Sequence, residues 1–159
     1  MDPVGITLRP YRANDLDAMH SLDVVCFDPP FRFSRSAMRR FAEAGKARVV
    51  IAKDADRLVG FIILNLERVK AERFGYIVTL DVSPAYRRRG IAGQLMHASE
   101  QQALSEGCAA VVLHVFTGNE AAIAFYLDRG FLQSRRELDF YGPGRDAWVL
   151  QKPLVRLNE

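Results

Sequence analysis

Residues 80 to 93 read Leu-Asp-Val-Ser-Pro-Ala-Tyr-Arg-Arg-Arg-Gly-Ile-Ala-Gly. An apolar strand end passes through a Pro-marked turn into an Arg/Gly loop, and that loop opens a helix. The first amide N–H groups of a helix lack intrahelical partners and lie at the positive end of its dipole. Around Ile91, the residues Gly90, Ala92 and Gly93 carry almost no side chain, so an anion can come close to the backbone. Arg87, Arg88 and Arg89 add positive charge beside it. The chemistry this spacing supports is phosphate binding. The Gly-Lys-Ser/Thr ending of a nucleoside-triphosphatase loop is absent, which directs the cradle to another phosphorylated ligand. A basic turn exposed to solvent is the plainer reading of the same residues.

A second candidate is His114, a polar residue inside the apolar run Val111-Val112-Leu113-His114-Val115. In that setting it needs a partner or a cavity. It serves either as a satisfied core residue or as a base, since an imidazole can take a proton near neutral pH. Glu120 is a rival base, although its place in a first helical turn equally suits the dipole and solvent. His20 and His97 have no motif around them and read as surface residues. Cys26 and Cys108 lack the spacing of a metal or redox pair and read as buried free thiols of a reducing cytoplasm. No metal site is expected.

These residues must be positioned by a chain of 159 residues and 17.9 kDa, with 49% hydrophobic and 26% charged residues. That is one domain, residues 1–159, able to bury roughly 70% of its unfolded surface. No apolar run approaches the ~20 residues of a membrane helix. The N-terminus, Met1 to Gly5, shows no signal peptide. The net charge of +3 is small and dispersed, which argues against nucleic acid as a partner.

A short strand is expected at Ile6–Arg9. A helix capped by Asn14 or Asp15 then runs through Leu16, Met19, Leu22 and Val25. The prolines at 29 and 30 force a loop from Phe27 to Phe31. A second helix starts at Ser34, passes through Met38 and Phe41, and stops near Gly45. Strands follow at Ala47–Lys53, Leu58–Leu66 and Tyr76–Val82. In the last of these, alternation puts Tyr76, Val78, Leu80 and Val82 on one face and Ile77, Thr79 and Asp81 on the other. A helix carrying Leu95, Met96, Ser99 and Ala103 precedes a stop at Gly107. Next come a strand at Ala109–Phe116, a helix at Asn119–Arg129 and strands at Phe131–Phe140 and Ala147–Gln151. The strand–helix–strand–helix run from Tyr76 to Arg129 implies a parallel crossover, hence a mixed α/β or α+β sheet.

Arg87-x-x-Gly90-x-Ala92 resembles the acetyl-CoA signature of the GNAT acetyltransferases, and Asn119 to Tyr126 with Gly130-Phe131 resembles the second signature of that family. The resemblance covers roughly Tyr76 to Leu154. It implies a central, mostly antiparallel sheet with one parallel strand pair at the acetyl-CoA site and about four flanking helices. Within the superfamily, Cys26-Phe27-Asp28-Pro29-Pro30-Phe31 is similar to the substrate loop of protein N-terminal acetyltransferases, including the bacterial ribosomal-protein alanine transferases. Phe140 to Ala147 resembles their peptide-covering hairpin, with Phe140 in place of a Tyr.

The resemblance implies acetyl-CoA as cofactor, held along Leu80, Asp81 and Val82, by Arg87 to Gly93, and by Asn119 and Tyr126. It implies Tyr126 as general acid to the leaving thiolate, and His114 with Tyr76 as a shared base. Phe27, Pro30, Phe31, Tyr76 and Tyr141 would line the acceptor groove, with hydrophobic packing as the alternative for Phe31 and Tyr141. Asp146 would pair with Arg145 at a turn. The implied activity is direct acetyl transfer to a primary amine, foremost a protein N-terminal α-amine. A lysine or small-amine acceptor, and a catalytically silent acyl-CoA-binding module, are the alternatives.

Overall fold

A computed structural model describes residues 5–155, so Met1 to Val4 lie outside the described residues. The strands are β1 (Ile6–Pro10), β2 (Ala47–Asp54), β3 (Arg57–Val69), β4 (Glu72–Val82), β5 (Cys108–Phe116), β6 (Leu132–Glu137) and β7 (Ala147–Pro153). The helices are α1 (Leu16–Cys26), α2 (Arg35–Glu43), α3 (Ile91–Ser105) and α4 (Glu120–Asp128). One seven-stranded sheet runs in the order β1-β2-β3-β4-β5-β7-β6. Every neighbouring pair is antiparallel except β4 with β5, which α3 connects as a parallel crossover. The helices lie on opposite faces. Leu16, Met19, Leu22, Met38 and Ala42 of α1 and α2 pack with Ile51, Phe61 and Ile63. Ile91, Leu95, Met96 and Ala103 of α3 pack with Ile62, Leu64, Ile77, Leu113 and Phe131 on the other side.

Local chemistry explains most element ends. The Ser34 hydroxyl accepts from the Ala37 N–H at 3.1 Å and the Asn119 side chain accepts from the Ala122 N–H at 3.2 Å, so each caps its helix. Asp15 stands at the start of α1 but makes no side-chain capping bond to that helix. Its carboxylate instead takes the Arg9 guanidinium at 2.7 and 2.8 Å and the Arg12 N–H at 2.7 Å. Val25, expected in the core, is 65% exposed. Steps of three residues lag by about 60° each on a helix, so Leu16, Met19, Leu22 and Val25 sweep about half its circumference. Asp23, fully buried, takes the inward position instead.

Strict alternation also fails in β4. Opposite β4, Ile63 pairs with Thr79 and Leu64 with Ile77, which leaves Val78 as a bulge. Beyond it the faces are reversed: Ile77, Leu80 and Val82 join the α3 side, while Val78 packs toward α1 and α2. Leu80 and Val82 therefore do not share a face with Val78. The parallel ladder ends at Ile77–Leu113, yet β4 continues to Val82 and β5 to Phe116. The two strands open into a V.

The strand expected at Phe131–Phe140 ends at Glu137, because Asp139 turns the chain at φ +56°. Asp146 holds that turn by accepting from the Asp139 N–H at 2.8 Å and from Arg136, not Arg145, at 2.8 Å.

Asp23 and Asp81 form a buried acid pair under the V. Asp23 accepts from the Phe33 N–H at 2.9 Å and Asp81 from the Thr79 hydroxyl at 2.5 Å. Their remaining oxygens, Asp23 Oδ1 and Asp81 Oδ2, meet no other donor among the described residues. Burial first, and the Asp23 carboxyl second, push Asp81 well above the usual carboxylate range, so the pair keeps a proton. The unfolded chain releases that proton above about pH 4. The pair's contribution is therefore whole in acid and declines as pH rises through the folded-state pKa. Asp81→Asn keeps both hydrogen bonds without needing the proton. Urea unfolding of both proteins between acid and alkaline pH should show the variant gaining on the wild type by on the order of 1 kcal/mol as pH rises. Parallel pH dependences would contradict the shared proton.

Candidate active site

The V between β4 and β5 is a cavity of about 650 Å³. Past Ile77 the β4 edge facing β5 has no ladder partner. Backbone groups on such an edge need an alternative partner, and an extended ligand arm bearing amides supplies one. The start of α3 closes one end. Gly90 stands there at φ +79° in a left-handed conformation, with open space where a side chain would be. Gln94 makes the first helical bond, to the Gly90 carbonyl at 3.0 Å, so the amides of Ile91, Ala92 and Gly93 precede it without intrahelical partners.

The three arginines of the loop have different places. Arg87 and Arg88 line the cavity, and the Arg87 Nε donates to the Val82 carbonyl at 3.3 Å. Arg89 lies over the Tyr86 ring at 4.9 Å and does not line the cavity. Asp81 does not line it either, since its side chain turns to Asp23 on the other face. Leu80, Val82, Gly90 to Gly93, Asn119 and Tyr126 do. A helix start, two guanidiniums and an open strand edge fit a phosphorylated ligand with a long hydrogen-bonding arm, which is the chemistry of acetyl-CoA.

At the other end, His114 lines the cavity, and Tyr76, expected in the acceptor groove, does not line it but meets the imidazole although the two are far apart in the chain. The Tyr76 hydroxyl lies 2.7 Å from His114 Nδ1. Burial and the charge of Glu137 push the phenol up to about 12. Phe140 stacks flat on the imidazole, with centroids 3.8 Å apart and planes within 4°. The Tyr141 hydroxyl donates to the His114 carbonyl at 3.2 Å. Phe31 packs against Phe116 at 5.0 Å and Tyr141 at 5.1 Å, giving an aromatic wall. Phe27 lines the same cavity and Pro30 does not.

Tyr126 projects from α4 into the cavity between these two ends. Burial, then the Asp81 charge, push its phenol well above the ordinary value, so it is fully protonated. Its hydroxyl has no hydrogen-bond partner among the described residues. Glu120, the rival base, is exposed and lines no part of the cavity. His97 is exposed as expected, whereas His20 is half-buried.

Cys26, expected as a buried thiol, is half-buried, and its own place in the cavity carried no signal. It closes α1 and reaches the cavity, where its thiol meets the Val82 carbonyl at 3.3 Å. Burial and Asp81 push it up to about 11, so it is a thiol, not a nucleophilic thiolate, at neutral pH. Glu137, too, carried no signal. Its carboxylate lies 3.1 Å from His114 Nε2 although the residue belongs to β6, two strands away in the sheet.

Arg88 has no ion-pair partner among the described residues and faces the anion end. Arg88→Ala should weaken coenzyme A binding by roughly tenfold, the loss of one charge-assisted contact, with the melting temperature unchanged. Titration calorimetry at two salt concentrations checks this, and unchanged affinity at both would remove Arg88 from the cradle.

Comparison with known proteins agrees with this geometry. The model of the acetyltransferase (GNAT) family matches residues 16–131. N-alpha-acetyltransferase 30 of Schizosaccharomyces pombe is 30% identical over 144 residues, covering 90% of this chain and 95% of that one. Arabidopsis thaliana Naa50, solved with the bisubstrate analogue CoA-Ac-MVNAL, superposes with a TM-score of 0.79 at 29% identity, over 94% of this chain and 99% of that one. Arabidopsis thaliana NAA60, solved with acetyl-CoA, gives a TM-score of 0.84 at 24% identity over 94% and 98%, a likeness of fold. With the opened strand pair, the helix start over its mouth and the matched family model, the chain belongs to the GNAT acetyltransferase family.

Proposed function

We propose that this acetyltransferase, acting as one catalytic domain, transfers acetyl from acetyl-CoA directly to the α-amine of a protein N-terminus. The observation that carries the reading is His114, which lines an aromatic-walled groove continuous with the anion cradle and meets the Tyr76 hydroxyl through Nδ1 at 2.7 Å. An α-ammonium must lose a proton before it can attack, and an imidazole with a hydrogen-bonded phenol supplies a base at that place. Phe31, Phe116 and Tyr141 give the first residue of the acceptor an apolar, aromatic surrounding, which favours a large apolar side chain there. The peptide carried by the Arabidopsis Naa50 analogue begins with methionine, in keeping with that preference.

Acetyl-CoA, when bound, supplies the activated acetyl group. Arg87, Arg88 and the first turn of α3 would hold its phosphates, and the edge from Leu80 to Val82 would run beside its arm. Tyr126 holds a proton at its hydroxyl throughout and gives it up only as negative charge develops on the departing sulfur. Cys26, kept as a thiol, takes no acetyl group, which supports direct transfer. The thiols of Cys26 and Cys108, both free, suit a reducing compartment such as the cytoplasm. Among the described residues, no helix is long and apolar enough to cross a membrane and no cluster of side chains could hold a metal ion.

Thiol release from acetyl-CoA should therefore be fastest with peptides that begin with a free Met or Leu. It should be slow with the same peptides N-blocked and carrying an internal lysine. The reverse order would make the acceptor a lysine, and no release with any amine would leave a binding module. Tyr126→Phe should lower kcat by more than about tenfold, as should His114→Gln, with both variants folded. Wild-type turnover in either removes that residue from its role.

A further inference from the structure

We propose that Glu137 is a positioning residue for the transfer: it sets the tautomer of His114 and so the direction in which Tyr76 donates its hydrogen bond. The proposal rests on His114 and Tyr76 acting as the base, and it concerns the residue that makes that pair work in one direction.

His114 has 13% side-chain exposure; its Nε2 makes no aligned hydrogen bond among the described residues, and the Glu137 Oε1 lies 3.1 Å from it as an ion-pair neighbour. His114 first, and Arg135 at 2.9 Å, pull the Glu137 carboxyl below its usual range, so it is ionised. An ionised carboxylate can only accept. A bare Nε2 lone pair facing that carboxylate at 3.1 Å would be repelled, so the neighbouring charge favours the hydrogen on Nε2. In a neutral imidazole the other nitrogen is then a bare acceptor, and Nδ1 faces the Tyr76 hydroxyl at 2.7 Å. Tyr76 donates to it, which leaves the lone pairs of the phenolic oxygen as acceptors in a proton relay. Phe140, stacked on the ring, holds its plane.

The proton count closes. One N–H proton of the ammonium passes to the Tyr76 oxygen, the Tyr76 proton passes to His114 Nδ1, and the imidazolium formed lies against the Glu137 carboxylate. The amine is left neutral, Tyr76 ends as it began, and the net movement is one proton from amine to imidazole. With the opposite tautomer, Nδ1–H would donate to Tyr76. No nitrogen lone pair would then stand at the receiving end of the relay. Removing the carboxylate that faces Nε2 would admit that exchange.

The test uses the full chain labelled with ¹⁵N at its three histidines, His114 being assigned by the His114→Gln protein. Ring ¹⁵N spectra of the wild type at neutral pH should show His114 as the Nε2–H tautomer. Glu137→Ala should admit the Nδ1–H form and lower kcat by about tenfold or more, while KM for acetyl-CoA stays unchanged. Glu137→Gln, which retains an acceptor oxygen, should restore the Nε2–H form and most of kcat. A wild-type His114 in the Nδ1–H form overturns the proposal without any variant. So does a folded Glu137→Ala protein with wild-type tautomer and turnover. His114→Gln separates the two claims. If it turns over like the wild type, the base reading fails, and if it is slow while Glu137→Ala is not, only the positioning role fails.

Discussion

The site depends on where one parallel ladder stops. β4 and β5 hydrogen-bond only as far as Ile77 and Leu113, and then diverge. The bulge at Val78 adds a residue to β4 at that point, which bends and twists the strand away from its neighbour. β4 remains paired with β3 on its other edge, so the open edge is held rigidly and not frayed. A sheet interrupted in this way has backbone groups that want a partner, and the cavity is the space where that partner belongs. α3 begins at one end of the gap and Tyr126 of α4 reaches into it, so a ligand bound there would complete the sheet and meet a helix start together.

Burial then sorts the protons. Tyr126 and Tyr141 line the cavity and Tyr76 bonds to His114 beside it, and desolvation pushes each phenol upward. Cys26 is raised by the same cause and by the acid pair below it. The hydroxyls and the thiol thus keep their protons, while ionised Glu137 gives the imidazole a fixed counter-charge. Positive charge is gathered at one end by Arg87 and Arg88, and negative charge at the other by Glu137. A cofactor with phosphates and an acceptor with an ammonium would each meet the end that suits it.

What was legible in the sequence was local. The Arg/Gly loop, the caps Ser34 and Asn119, and the crossover from β4 to β5 all follow from neighbours a few residues apart. The bulge was not legible, because Val78 is an apolar residue in an apolar stretch and either face accepts it. Cys26 was not, because α1 carries it to the cavity only by packing across β3 and β4. Asp146 was read with its neighbour Arg145, whereas hairpin pairing gives it to Arg136. Glu137 was hidden most deeply. His114 lies opposite Val149, and Val149 opposite Arg135, so Glu137 reaches the imidazole across an intervening strand.

That intervening strand has a consequence for how the site comes into being. β7 sits between β5 and β6, and β6 pairs with β7 alone. The segment bearing Glu137 is synthesised before β7 but has no place to dock until β7 has laid itself along β5. Residues 110 to 116 and 147 to 153 must find each other across an intervening helix and strand, a closure of high sequence separation and correspondingly slow. The cofactor cradle of β4 and α3 can form from contiguous chain. The histidine thus acquires its carboxylate neighbour only once β7 has joined β5 and β6 has joined β7.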